Sequence, residues 1–374
     1  MDLPLQMFDP KRDYQEYKES YDQALNKILS HGLFINGPEV KELESQLAEY
    51  TESKNCITVS NGTDALKIAL LALDVGFGDE VITVSHTWIS TAEVISLVGA
   101  IPVFVDVEED TFNLDPYKLE EAITNKTKAL IVVSLYGQTP DFDTINEIAQ
   151  KHNLPVIEDA AQSFGASYKG KMSCNLTVIG TTSFFPSKPL GCYGDGGACF
   201  TNDEGLNKKM RAIKNHGGLV RFQHDYIGLN GRIDTMQAAI ILVKFNHFKE
   251  TLKKRNNVAH MYSDKLKDVD NIKLPVTKNT NYHVWAQYSI LVKDKEERDA
   301  LVSYMKDNGV NVAIFYPVPL HYQPCFKGKS RCHDLSVTEN VCDRIMNLPC
   351  YGEFTEEEVN YVVSTFKNYF LNKS

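Results

Sequence analysis

Between residues 55 and 201 the chain alternates two hydrophobic patterns. Short apolar, often β-branched runs at 56–59, 81–84, 103–107, 129–134, 156–159, 181–185 and 198–201 have the length and continuity of strands buried on both faces. Between the first five runs, segments 64–73, 91–97, 116–123 and 142–151 repeat their apolar residues every three or four positions, which is the spacing of one helix face. Leu114-Asp115-Pro116 is a start signal for the third of these: an aspartate can cap the free amides, and proline costs nothing at the first helical position. Strand and helix in alternation predict an α/β fold built on a mostly parallel, seven-stranded sheet sandwiched by helices.

Past residue 201 the rhythm changes. Two longer helical patterns, 204–215 and 234–253, precede alternating runs at 285–292 and 310–316 and a helical segment at 296–307. This remainder predicts a smaller C-terminal α/β domain, and the expected division is a large domain over residues 1–250, including the N-terminal segment, and a small one over 251–374. No internal repeat or low-complexity linker interrupts the chain.

The 374 residues, 43% hydrophobic and 24% charged, have ordinary globular composition. A net charge of −10 and the lack of any lysine- or arginine-rich block argue against nucleic-acid binding, and they require any anionic ligand to be met by a local cluster of cations or amides. No apolar stretch approaches the roughly 18 residues of a membrane span, and Met1-Asp-Leu-Pro-Leu-Gln lacks the parts of a signal peptide, so a soluble, cytoplasmic protein is expected. Eight cysteines are scattered without a Cys-x-x-Cys pair, which predicts reduced structural thiols and no metal site.

The chemistry centres on Lys188, in the run Ser183-Phe-Phe-Pro-Ser-Lys-Pro-Leu-Gly-Cys-Tyr-Gly-Asp-Gly-Gly, and on Asp159, which ends the strand run 156–159. An amine and a distant strand-end acid are what pyridoxal phosphate needs: the amine bonds the aldehyde, and the acid keeps the ring nitrogen protonated. Ser60-Asn-Gly-Thr-Asp-Ala lies where a strand turns into a helix, so the first-turn amides and the Thr63 hydroxyl suit a phosphate. A glycine turn that merely caps a helix would look the same. Trp88, just beyond another strand end, offers a ring-stacking face or simple core packing. Gln162 could bond a ring hydroxyl or Asp159, and Ser183 could add a hydroxyl to the phosphate shell. Open α/β sheets bind ligands beyond the carboxyl ends of their strands, where all of these residues fall. Glycines 191, 194, 196 and 197 match neither Gly-x-Gly-x-x-Gly nor Gly-Lys-Ser/Thr, so they read as a tight turn beside a bulky group rather than a nucleotide loop.

Six segments together resemble the DegT (DegT/DnrJ/EryC/StrS) family of nucleotide-sugar aminotransferases, within the fold type I pyridoxal-phosphate enzymes. They are Gly32-Leu-Phe-Ile-Asn-Gly-Pro-Glu-Val, Asn61-Gly-Thr-Asp-Ala-Leu, Glu158-Asp-Ala-Ala-Gln-Ser-Phe-Gly-Ala, the run from Ser183 to Gly197, Gly228-Leu-Asn-Gly-Arg-Ile-Asp and Tyr316-Pro-Val-Pro-Leu-His. The resemblance implies that Lys188 is the covalent anchor and proton carrier, Asp159 the partner of the pyridine nitrogen, and Trp88 the stacking aromatic. It implies phosphate contacts for Gly62, Thr63 and Ser183, a ring-hydroxyl neighbour in Gln162, and an asparagine, Asn230, reaching the phosphate of the neighbouring subunit. A homodimer with shared active sites follows. Arg232, Tyr316 and His321 fall where relatives approach the sugar nucleotide. The implied reaction is ping-pong: L-glutamate converts pyridoxal phosphate to pyridoxamine phosphate, which then aminates a UDP- or dTDP-linked 3-keto or 4-keto sugar. Many relatives read His-Tyr-Pro where this chain has Phe315-Tyr316-Pro317, which opens the question of what faces the sugar there. The alternatives in the same fold are a sugar dehydratase, whose lysine is replaced by histidine, and a non-catalytic regulator.

Overall fold

Alternate residues of a strand point to opposite faces of its sheet, so the continuous apolar runs of this chain demand cover on both sides, and helices supply it. The computed structural model describes residues 3–372. It opens with three helices beyond those the pattern predicts: Pro10–Glu16 (α1), Lys18–His31 (α2) and Pro38–Thr51 (α3). Then come Asn55–Val59 (β1), Gly62–Ala72 (α4), Glu80–Val84 (β2), Ser90–Leu97 (α5), Ile101–Val105 (β3), Thr127–Val133 (β4), Phe142–Lys151 (α6) and Val156–Asp159 (β5). A short hairpin, Ser167–Tyr168 (β6) and Lys171–Met172 (β7), leads to Ile179–Ser183 (β8), Gly197–Thr201 (β9), Glu204–Ile213 (α7) and Thr235–Leu266 (α8). The C-terminal part comprises Asn281–Tyr282 (β10), Tyr288–Leu291 (β11), Lys295–Asp307 (α9), Arg331–Cys332 (β12), Ser336–Arg344 (α10), Ile345–Leu348 (β13) and Glu356–Leu371 (α11).

The central sheet has the strand order β1-β9-β8-β5-β4-β2-β3-β12. All neighbours pair in parallel except β9, which runs against both β8 and β1. The seven expected strands are present, and the two-residue β12 adds an eighth by pairing Arg331 with Val103 and Cys332 with Phe104. Strand alternation divides the core. Ala129, Ile131 and Ile157 join Ala65 and Ile68 of α4 on one face, while Leu130, Val132 and Val156 join Phe142 and Ile145 of α6 on the other. A further core gathers Val258, Tyr262 and Leu266 of α8 with Ile290, Met346, Val359 and Phe366.

Three expectations change. The helix predicted over 116–123 is a pair of 3-10 turns, Pro116–Lys118 and Glu120–Ala122. Its buried residues Pro116, Leu119 and Ala122 recur every third position, the 3-10 period, and Asp115 still caps the start by accepting from the Tyr117 amide at 2.9 Å. The helix expected to end near residue 253 continues as α8 to Leu266, because buried positions 255, 258, 259, 262 and 266 keep the helical spacing. The strand expected over 310–316 makes only isolated bridges, at Val310 and Ala313. There the Phe315 amide donates instead to the Asn347 side chain at 2.9 Å. All eight cysteines are unpaired and six are buried. Among the described residues no helix is long and apolar enough to cross a membrane.

Candidate functional site

Because β1, β2, β5 and β8 all run the same way, their carboxyl ends meet at one edge of the sheet, where a cavity of about 420 Å³ opens. Its walls hold Gly62, Thr63, Trp88, Asp159, Gln162, Ser183, Lys188 and Tyr316, residues spread over more than 250 positions of sequence.

The β1–α4 turn is shaped by two residues. Asn61 stays extended and its Oδ1 accepts from the Asp64 amide at 2.7 Å, capping α4 in the way that frees the earlier amides to face the cavity. Gly62 has no Cβ, and one built there would lie 2.6 Å from the Ser183 Cβ. Glycine at this position therefore lets the helix N-terminus close onto the end of β8. That closure sets the Ser183 hydroxyl beside first-turn amides carrying the positive end of the helix dipole. Thr63 Oγ1 lies 2.8 Å from Ser90 Oγ.

Asp159 is buried, its Oδ2 accepting from Thr91 Oγ1 at 2.9 Å and its Oδ1 from the Ala161 amide at 3.2 Å. Burial raises its pKa, while the Thr91 and Ala161 donors and the Lys188 charge pull it back. Lys188 shows the opposite balance: burial lowers its pKa and Asp159 raises it. Trp88 is 58% exposed, which removes the core-packing alternative, and its ring centroid sits 6.2 Å from that of Tyr316 on the open side of the cavity. Gln162 bonds the Tyr136 amide through Oε1 at 2.8 Å and the Tyr316 hydroxyl through Nε2 at 3.2 Å, rather than Asp159. Phe315 lines the wall beside Tyr316, so that part of the wall is apolar.

Three expected site residues lie elsewhere in this chain. Asn230 is exposed and bridges to Asn215. Arg232 lines a separate hollow of about 300 Å³ with Lys41, Glu44, Arg211 and Lys214, and donates to Asn215 Oδ1 at 2.8 Å. His321 takes the Ser85 hydroxyl on Nδ1 at 2.8 Å and faces Glu339 through Nε2 at 3.2 Å, outside the cavity. Conversely, the sequence reading passed over Thr91, Asn61 and Tyr136. Thr91 and Asn61 sit at strand-to-helix junctions and obey the same rule that found Thr63. Tyr136 carries no sequence signal, since its partners come from three distant segments.

Residues 15–367 match the DegT/DnrJ/EryC1/StrS aminotransferase family. A UDP-2-acetamido-2-deoxy-3-oxo-D-glucuronate aminotransferase of Pseudomonas aeruginosa is 46% identical over 364 residues, covering 97% of this chain and 100% of the relative. The crystal structure of a DegT DnrJ EryC1 StrS aminotransferase from Brucella abortus superposes with a TM-score of 0.94 at 37% identity, covering 98% of this chain and 99% of that one. NtdA of Bacillus subtilis, solved with bound cofactor PMP, gives a TM-score of 0.91 at 32% identity over 98% of this chain and 85% of its own. With a buried lysine and a strand-end aspartate in one cavity, and likeness over nearly the whole length, the chain belongs to the DegT/DnrJ/EryC1/StrS aminotransferase family.

Proposed function

We propose that this aminotransferase uses pyridoxal phosphate to move an amino group from L-glutamate to C3 of a UDP-linked 3-keto hexuronic acid. The observation that carries the reading is one cavity lined by Lys188, Asp159 and the Gly62–Thr63–Ser183 cradle. The residues fit the cofactor. A cradle that a Cβ at position 62 would fill suits a phosphate, the buried carboxylate suits a ring N–H, and the exposed Trp88 suits one face of a flat ring.

When bound, pyridoxal phosphate supplies an aldehyde that condenses with amines and a ring that draws electrons from the carbon losing its proton. The protein supplies the rest. Lys188 Nζ, its charged form disfavoured by desolvation, takes a proton from a substrate carbon and returns it, as a base near neutral pH must. Asp159, whose carboxylate accepts from Thr91 Oγ1 and the Ala161 amide, would keep a proton on the ring nitrogen. The amides of Gly62 and Thr63 and the Ser183 hydroxyl would hold the phosphate, and Trp88 would cover the ring and exclude water. Gln162, which lines the same cavity, would lie near the ring hydroxyl.

Asn230 would complete the phosphate site from the neighbouring subunit of a homodimer. Exposed apolar side chains at Leu33, Phe34, Ile35, Leu219, Val220, Phe222 and Ile227 support such an interface. Arg232 and Tyr316 would meet the sugar nucleotide, and His321, tied to Ser85 and Glu339, would hold the segment that carries Tyr316. Eight unpaired cysteines support a reducing, cytoplasmic setting. We also propose the two-part division at residue 250, which falls within α8; the second half of that helix packs in the C-terminal core.

The choice of a UDP-linked 3-keto acid over a dTDP-linked 4-keto sugar rests on the Pseudomonas relative, matched end to end. The test is to incubate the protein, cofactor and glutamate with a panel of 3-keto and 4-keto UDP- and dTDP-sugars and to locate the new C–N bond by NMR. Amination at C3 of the UDP-uronic acid is expected. Amination only at C4 would overturn the regiochemistry, and no amination of any panel member would overturn the sugar reading.

A further inference from the structure

A line of buried hydrogen bonds starts outside the cavity and ends on its wall. Tyr136 follows β4, is 2% exposed and holds a left-handed backbone with φ 56°. Such a conformation is strained for a non-glycine residue and persists only where its surroundings enforce it. The next residue shows the enforcement: a Cβ on Gly137 would lie 2.8 Å from the backbone nitrogens of Trp285 and Ala286, so the turn is pressed against the C-terminal part.

The bonds of Tyr136 have only one consistent direction. Its hydroxyl meets the Phe315 carbonyl, which can only accept, so the phenol proton goes there. The phenol oxygen, 2.8 Å from His86 Nε2, must then accept from an Nε2–H. A neutral imidazole protonated on Nε2 carries its lone pair on Nδ1, which therefore accepts the Cys342 thiol 3.2 Å away. Burial pushes the His86 pKa down to about 3, so the ring stays neutral at any working pH. The backbone side is equally fixed. An amide N–H can only donate, so the 2.8 Å contact from Tyr136 N selects Oε1 of Gln162 and turns Nε2 toward the Tyr316 hydroxyl, 3.2 Å away.

We propose that Tyr136 is a positioning residue of the transamination site: its amide orients Gln162, its hydroxyl fixes the Phe315–Tyr316 wall, and His86 holds that hydroxyl in place. The inference rests on the reading that this cavity takes a keto sugar above the cofactor. It assigns a task to Tyr136 and His86, neither of which lines the cavity.

Tyr136→Phe keeps the ring and the amide and deletes the hydroxyl. Hydrogen exchange of a peptide spanning residues 313–318, measured without substrate, is expected to quicken about fivefold or more, the effect of losing a bond of ordinary strength, with little change elsewhere. In separate half-reactions, kcat/KM for the keto sugar is expected to fall about tenfold while that for glutamate stays within about twofold. Unchanged exchange at 313–318, or an equal fall in both half-reactions, overturns the proposal. Should Tyr136→Phe fail to fold, His86→Gln, which retains an N–H donor, should exchange like wild type at 313–318 while His86→Leu exchanges faster; indistinguishable variants overturn it. If wild type aminates no keto sugar, the functional reading fails, and the exchange comparison still decides the positioning role.

Discussion

Lys188 and Asp159 illustrate how a side chain's surroundings, more than its type, decide its chemistry. Both line the same buried edge of the sheet, and burial acts on them in opposite directions, raising the carboxyl and lowering the amine, while each opposes the shift of the other. Lys188→Ala is expected to abolish turnover and the visible absorbance of the cofactor-loaded protein, with the far-ultraviolet circular dichroism unchanged; retained activity would refute the assigned role. Gly62→Ala probes the cradle. A methyl 2.6 Å from the Ser183 Cβ must push β8 and α4 apart at the point where we propose the phosphate is held. Cofactor affinity is expected to drop about tenfold or more, the equivalent of losing one or two charge-assisted bonds, as read by fluorescence titration. Wild-type affinity in that variant would move the phosphate elsewhere. At this scale the sequence was informative wherever a residue sat at or just beyond the end of a patterned strand, as Asp159, Ser183, Thr63 and Trp88 do. It was silent on Tyr136 and His86, because a hydrogen bond between positions 136 and 315 leaves no mark on local spacing.

Strand β5 shows what alternation does at the scale of an element. It delivers Asp159 to the cavity and turns Glu158 to the opposite face, where its carboxylate accepts from Ser134 Oγ at 2.8 Å, Ser173 Oγ at 2.6 Å and the Cys174 amide at 2.7 Å. Despite these donors, burial raises the Glu158 pKa from 4.5 to about 7. The folded chain thus binds this proton more tightly than the unfolded chain, so stability falls as pH rises from about 4.5 to about 7 and levels off above. A shift of that size corresponds to about 3 kcal/mol. Glu158→Gln removes the titration and keeps the bonds, since an amide oxygen can take the Cys174 N–H and both serine hydroxyls can rotate to accept. Thermal unfolding across this pH range should therefore fall less steeply for the variant than for wild type. Parallel slopes would show that other groups set the trend. The elements themselves were legible where periodicity was long and clean, as in α6 and β5, whose bounds match the hydrophobic pattern. Legibility failed where tertiary partners chose the outcome. The 310–316 run alternates like a strand, yet the Asn347 side chain takes the Phe315 amide; the 116–123 run is helical in composition, yet its three-residue burial period selects 3-10 turns.

For the molecule as a whole, one chain supplies a cavity with Lys188, Asp159 and the Gly62–Thr63–Ser183 cradle, yet Asn230 and Arg232 stand outside it, on a face that also leaves Phe34 and Ile35 exposed. If Asn230 serves the neighbouring subunit, the two defects Lys188→Ala and Asn230→Ala lie in the same site of a mixed dimer. The other site of that dimer then draws an intact lysine from one chain and an intact asparagine from the other. Random exchange between equal amounts of two impaired homodimers makes half of the dimers mixed, so a two-fold symmetric assembly should recover about a quarter of wild-type sites. Were Asn230 to act within its own chain, every site in the mixture would keep one defect and mixing would restore nothing. The measurement is the rate of keto-sugar amination at saturating cofactor before and after subunit exchange, with size-exclusion chromatography to establish that dimers are present. Activity that stays at the mean of the two parents would place Asn230 outside the partner's site and leave the shared-site reading without support.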